Sequence, residues 1–345
     1  MNYLSIKKKI ENIILSRSNS YQFYKKEYEK NIKNKKNATP DIEALFNEIK
    51  EEFNDIKSTT DGYMDSSTYL LRTLLVDYEL NDPKGILKCI HEISEELLVF
   101  IINICKNNNI VYWLDASSLL GAVRHEDFIP WDDEIDLGMM RKDYINFNQI
   151  IEKEISNYGL DDVLSVEFEN NGNLNPFTRI IIKSNLIIND EKPILTILNV
   201  FPYDFLEEYN KKTRKMFKDS KSKFYNNLNN NVSLDDCLKE YYKELNVSLD
   251  ETGYVLSSVD GRYPQEYFVF RTERVFPLSQ IKFRDIIVNS PNDTHYYLKK
   301  IYKDYLTLPR IVNIHDKVDS FRYTPNYEEI FNEVITKLHE VNSKF

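Results

Sequence analysis

From Ile86 onward, apolar residues recur at steps of three and four: Leu87, Ile90, Leu97, Leu98, Ile101 and Ile104. That spacing predicts an amphipathic helix with one buried stripe, ending in the polar run Lys106-Asn107-Asn108-Asn109. The compact apolar stretch Ile110 to Leu114 predicts a buried strand, and Ser117 and Ser118 are placed to cap a short helix through Val123. After a polar turn at Arg124-His125-Glu126-Asp127, Ile135 and Leu137 alternate with Glu134 and Asp136, the period of a strand with one apolar face.

Further along, residues 140–155 carry a helical pattern, and Leu164 to Phe168, Arg179 to Ser184 and Ile194 to Phe201 read as strands, the last stopped by Pro202. A charged helical stretch covers 207–242, with Ser233 placed to cap a helix starting at Leu234, and Tyr297, Leu298, Ile301 and Tyr305 share one helical face. Mixed strands with helices packed on them give an α+β fold. Residues 1–80 are rich in Lys, Asn, Glu and Tyr, with a helical apolar pattern at Ile42, Leu45, Phe46, Ile49 and Phe53. They predict a helical N-terminal extension to a main domain spanning 81–345.

Composition narrows the function. The chain has 345 residues, is 42% hydrophobic and carries a formal net charge of -10, so it can bury a sizeable core and offers no broad cationic surface for nucleic acid. Any anionic substrate must be met locally. Cys89, Cys105 and Cys237 form no CxxC pair and read as reduced core residues. The apolar run Leu97 to Ile102 is far short of the roughly 18 residues that span a membrane, and the N-terminus lacks a signal-peptide pattern. A cytoplasmic protein with at most peripheral membrane association is expected. Eight glycines, none in a GxG pair, leave no dinucleotide fingerprint or P-loop, and neither GxSxG nor HExxH occurs.

The densest chemistry lies between Trp113 and Tyr144, which holds the chain's only two tryptophans. Asp132, Glu134 and Asp136 are spaced by two and so leave one face of a strand, flanked by Phe128, Ile129, Pro130 and Trp131 before them and Leu137 to Met140 after. Carboxylates this close repel one another unless a cation sits among them. A hard, oxygen-seeking ion is expected: magnesium, with manganese as a substitute, held by Glu134 and Asp136 together with substrate phosphates. Backbone amides at Ser117 to Leu119, at a helix start, are placed to take phosphate oxygens. Phosphoryl or nucleotidyl transfer is the natural chemistry of such a set. Arg124 is a candidate phosphate clamp beside His125, and Arg141 and Lys142 are candidates for holding a donor diphosphate. Trp113, Trp131, Tyr144 and Phe201 are suited either to lining a pocket for a quaternary ammonium or to packing the core.

Four blocks, LLGAVRHEDFIPWDDEIDLGMMRKDY, LNVFPYD at 198–204, FPLSQIKF at 276–283 and YLKKIYKDYLTLP at 297–309, resemble the ordered signatures of the LicD family, which is related to the fukutin proteins. The resemblance covers residues 86–316. It implies a nucleotidyltransferase-like mixed sheet flanked by helices, and transfer of phosphocholine from CDP-choline to sugars of surface glycans. Residue by residue, it implies that Glu134 and Asp136 are the metal pair, with Glu where Asp is usual, that Asp132 and Asp133 are the acids before it, and that Arg124 and His125 are its basic pair. Ser117 stands in place of a glycine and Ser118 takes the hydroxyl position. Asp204 matches the later acid of its block and His315 a histidine near the end.

Asn199 departs from the pattern, standing where a third metal-binding acid is expected; an amide can ligate through its oxygen but cannot act as a base. The expectation is therefore a metal-dependent transferase with a CDP-linked donor and a glycan or lipid-linked glycan acceptor, in which Asp133 or Asp132 accepts the acceptor's proton. A glycosyltransferase using a nucleotide sugar and a glycan-binding protein without turnover are the alternatives.

Overall fold

The computed structural model describes residues 63–65, 85–167, 177–184, 192–257, 268–306, 311–313, 317–321, 324 and 326–345. The expected N-terminal helices and His315 lie outside them. The chain divides into two compact units, Met1–Tyr69 with Asp304–Asn313, and Leu70–Lys303 with Ile314–Phe345. In the first, β1 (Tyr63–Asp65) pairs antiparallel with β12 (Ile311–Asn313).

The second unit is α+β and is built on a mixed sheet. Its central path runs β2 (Trp113–Leu114), β3 (Glu134–Met140), β6 (Ile194–Leu206), β5 (Thr178–Lys183), β4 (Leu164–Glu167). The β3 to β6 pairing is parallel and the others are antiparallel. β6 is longer than its sequence predicts. Instead of stopping at Pro202, it continues to Leu206, because Pro202 falls where one neighbour leaves and the next begins. Pairing to β5 ends at Val200, and β8 (Tyr254–Ser257) takes over that edge at Tyr203. A missing amide donor is tolerated at such a gap. The remaining short strands are β7 (Val247–Ser248), on the end of β6, and β9 (Val269–Arg271), on β8. β10 (Ser279–Phe283) and β11 (Ile286–Ser290) form a separate hairpin.

The helices follow the predicted periodicities closely. α1 (Ile86–Asn107) buries Ile90, Ile93, Leu97, Leu98 and Ile101 completely and packs on β6 and on α9 (Tyr327–Asn342). Each such side chain contributes roughly 2 kcal/mol by leaving water. α2 (Ala116–His125) is capped by Asp115, two positions ahead of the first of the predicted serines; its carboxylate accepts from the Ala116 amide at 2.8 Å. α3 (Arg141–Asn157) follows β3 directly. α4 (Lys211–Asn229) and α5 (Leu234–Leu245) form a hairpin around Phe217, Phe224, Cys237 and Tyr241, and Ser233 caps α5 through the Asp236 amide as predicted. α6 (Thr272–Val275), α7 (Thr294–Tyr302) and α8 (Lys317–Phe321) complete the set; α7 ends before Tyr305. All three cysteines are free and buried.

Two contacts fix the acidic strand within this frame. Gly138 on β3 lies opposite Trp113 on β2, and a methyl group added there would meet the Trp113 indole at 2.4 Å. On the other side, His91 of α1 stacks on Phe128 at 4.4 Å and donates from Nε2 to the Asp132 carbonyl at 2.7 Å. Burial pushes that imidazole down to about 4, so the ring is neutral at physiological pH.

Two outcomes follow from this packing. Gly138→Ala overpacks the Trp113 ring and is expected to lower stability by about 3 kcal/mol, read as a fall in the thermal midpoint; an unchanged midpoint would contradict the contact. For His91, the unfolded ring takes up a proton near its ordinary value of 6.5 and the folded ring only near 4, so stability is complete above 6.5 and declines as pH falls toward 4. The stability advantage of wild type over His91→Gln should therefore shrink across that window by up to about 3 kcal/mol in denaturant titrations. A gap independent of pH would rule out a neutral buried ring.

Candidate active site

The register between β3 and β6 assembles the site. Asp136 lies opposite Asn199, and Glu134 is two positions along on the same face, while Ile135, Leu137 and Met139 are completely buried on the other. The Asn199 side-chain amide bridges the two acids, donating from Nδ2 to Glu134 Oε2 and to Asp136 Oδ1 at 3.0 Å each. Asp136 is fully buried, and its second oxygen accepts from the Ser117 hydroxyl at 2.8 Å and the Ser117 amide at 3.3 Å. Ser118 Oγ accepts from the Asp136 amide at 2.9 Å. The start of α2 is thus turned toward the acidic strand, with the Ser117 amide on a carboxylate where a phosphate oxygen was expected.

Lys317 completes the cluster and carries no signal in the sequence. Its ammonium lies 2.8 Å from Glu134 Oε1 and 3.2 Å from Asp133 Oδ1, and both it and Asp133 are buried. Asp132, also buried, accepts through Oδ1 from the Asp133 amide at 3.1 Å, which bends its side chain back along the loop.

Beneath the cluster lies a second buried network. The hydroxyls of Tyr203 and Tyr297 donate to Asp115 Oδ2 and Oδ1 at 2.6 and 2.9 Å, and the Trp113 indole donates to the Tyr297 hydroxyl at 3.1 Å. The Asp115 amide in turn donates to the Asp136 carbonyl at 2.9 Å, joining the two layers. Burial pushes the Asp115 carboxyl up to about 6 against the hydrogen bonds from Tyr203 and the Ala116 amide, and burial with the Asp115 charge holds both tyrosines well above 10. The cap position of Asp115 ahead of two serines was a readable signal for it; Tyr203 and Tyr297 had none.

Other predicted residues fall elsewhere. Arg141 and Asp204 form a buried two-pronged ion pair, Nε to Oδ1 at 3.0 Å and Nη2 to Oδ2 at 3.2 Å, and the guanidinium also faces Tyr144 and Tyr242. Breaking a buried pair of this kind costs about 3–5 kcal/mol, so the contact ties α3 to β6. Lys142 is exposed at the start of α3. Arg124 and His125 end α2, with Arg124 Nε donating to His125 Nε2 at 2.9 Å and the guanidinium over the half-buried Trp131 at 5.8 Å. Burial and the Arg124 charge hold the His125 ring down at about 4. Trp113, Tyr144 and Phe201 are core residues.

The donor set at Glu134, Asp136 and Asn199 consists of oxygens and an amide. Among the described residues, no group of three or more His, Cys, Asp or Glu converges as a metal cage. Such a set does not fit a zinc site closed by protein ligands, but it fits magnesium, which takes one or two carboxylates and completes its shell with water and phosphate. Rotating the Asn199 amide by half a turn would present its oxygen to the same point.

Residues 109–180 match the LicD/FKTN/FKRP nucleotidyltransferase domain. An uncharacterised protein of Rickettsia typhi is 41% identical over 68 residues, 18% of this chain and 22% of that protein. Human ribitol 5-phosphate transferase FKRP is 37% identical over 62 residues, 18% of this chain and 12% of its own. Lipopolysaccharide cholinephosphotransferase LicD of Haemophilus influenzae is 43% identical over 51 residues, 15% of this chain and 19% of its own. The matches therefore span about a fifth or less of each relative's length. The family match falls on the stretch that carries α2 and the acidic strand β3, so it is residues 109–180 that are similar to the LicD/FKTN/FKRP nucleotidyltransferase domain.

Proposed function

We propose that this protein is a magnesium-dependent transferase that moves a phosphorylated alcohol from a CDP-linked donor, CDP-choline being the first to test, onto a sugar of a surface polysaccharide or its lipid-linked precursor. The observation that carries the reading is the pair of acids Glu134, partly exposed, and Asp136, fully buried, bridged by Asn199 at 3.0 Å to each. Two of the relatives support the group transferred, one being a ribitol 5-phosphate transferase and the other a cholinephosphotransferase acting on lipopolysaccharide. Glu134, Asp136 and the Asn199 oxygen would hold the cation, which when bound offsets charge on the donor diphosphate.

The chain's own residues then have separate tasks. Ser117 and Ser118 lock Asp136 in place from the start of α2. Asp133 is the best-placed group to accept the acceptor hydroxyl's proton, because it sits in the cluster beside Glu134 and Lys317. Arg124, at the end of α2 beside Trp131, is suited to a phosphate oxygen of the donor. No described helix is long and apolar enough to cross a membrane, and we place the reaction in the cytoplasm, where CDP-linked donors are made.

Asn199 favours one further reading, a glycan-binding protein that retains the fold without turnover, because an amide brings no negative charge to the third metal position. The discriminating assay is CMP release from CDP-choline with a glycan acceptor and magnesium. Asp136→Ala should reduce that release by about 100-fold or more, and an unchanged rate would overturn the site. Asn199→Asp should raise it by restoring a third carboxylate. Absence of product from both wild type and Asn199→Asp, alongside measurable glycan binding, would favour the binding protein instead.

A further inference from the structure

Lys317 reaches the acid cluster from 183 residues beyond Glu134. Its side chain is buried, and a lysine is rarely buried unless paired. With Lys317 on Oε1 and Asn199 on Oε2, both oxygens of Glu134 are engaged by donors of this same chain. Asp133 shares the same ammonium at 3.2 Å. An arriving divalent ion must therefore compete with a cation that is already covalently tethered at the site, and magnesium sheds its water reluctantly.

We propose that Lys317 is a resident counter-cation that competes with the divalent ion for Glu134 and keeps metal affinity low until a nucleoside diphosphate is present. The inference rests on the metal reading above. A diphosphate would offer the ammonium a replacement partner, since lysine binds phosphate as a point charge, and would offer the metal further oxygens. Metal and nucleotide then assist each other's binding, and that coupling is reciprocal. Lys317 acts here as a positioning residue, through Glu134.

The test is titration of the full chain with Mn2+, following the paramagnetic resonance of the free ion, with and without CDP. Lys317→Gln should bind Mn2+ alone about tenfold or more tightly than wild type. CDP should then enhance Mn2+ affinity less in the variant than in wild type, and Lys317→Arg should restore weak binding. Equal or weaker Mn2+ affinity in Lys317→Gln overturns the proposal. Because that variant strips the buried Asp133 and the partly exposed Glu134 of their counter-charge, thermal midpoints are followed in parallel. Mn2+ should raise the midpoint of Lys317→Gln more than that of wild type, and a rise no larger than in wild type counts against the idea. Asp136→Ala separates the two levels of inference. Binding lost in Asp136→Ala but equal in wild type and Lys317→Gln rejects the role of Lys317 alone. Binding unaffected by Asp136→Ala, or absent from all variants, rejects the metal site and this proposal with it.

Discussion

Three carboxylates within four residues, Asp133, Glu134 and Asp136, are carried into a largely buried region, and the surrounding architecture is organised by the need to offset their charge. Water reaches Glu134 only in part and Asp133 and Asp136 hardly at all, and poorly screened like charges in a low-dielectric interior would disfavour the fold. Compensation comes from three directions: the Ser117 hydroxyl and amide at the start of α2, the Asn199 amide from β6, and the Lys317 ammonium from α8. Each belongs to a different element, so these elements are held together through the acids they share.

The same logic explains the layer beneath. Asp115 is buried as a cap of α2, and two tyrosines from distant segments donate to it, with the Trp113 indole behind them. Trp113 then limits what β3 can carry opposite it, which is why position 138 is glycine. Arg141 and Asp204 repeat the pattern at the other end of β3, as a buried charge pair. Asp115 and the Arg141–Asp204 pair find their partners within this interior, and satisfied networks of this kind favour one arrangement of the chain.

Much of this was legible in the chain. Alternation of Glu134 and Asp136 with Ile135 and Leu137 gave the strand, its orientation and the face on which the acids lie, because a side-chain period of two leaves no other choice. The helical stripe from Leu87 to Ile104 was equally plain, as was the Ser233 cap. The end of β6 is not legible in the sequence, since Pro202 reads as a stop while in the fold its two neighbours exchange at that position. That Arg141 and Asp204 pair with each other was not legible, because a charged residue near a motif carries no mark of its partner.

The sequence by itself determined the acid-rich strand, the helices that flank it and the family of the segment that contains them, because periodicity and local spacing depend only on neighbours along the chain. What only the tertiary structure decided was the company those acids keep. Asn199 opposite Asp136, the tyrosines on Asp115, His91 on the Asp132 carbonyl and Lys317 on Glu134 are contacts between residues 41 to 183 positions apart. Strand register and helix packing set such distances, and neither is written at any single position.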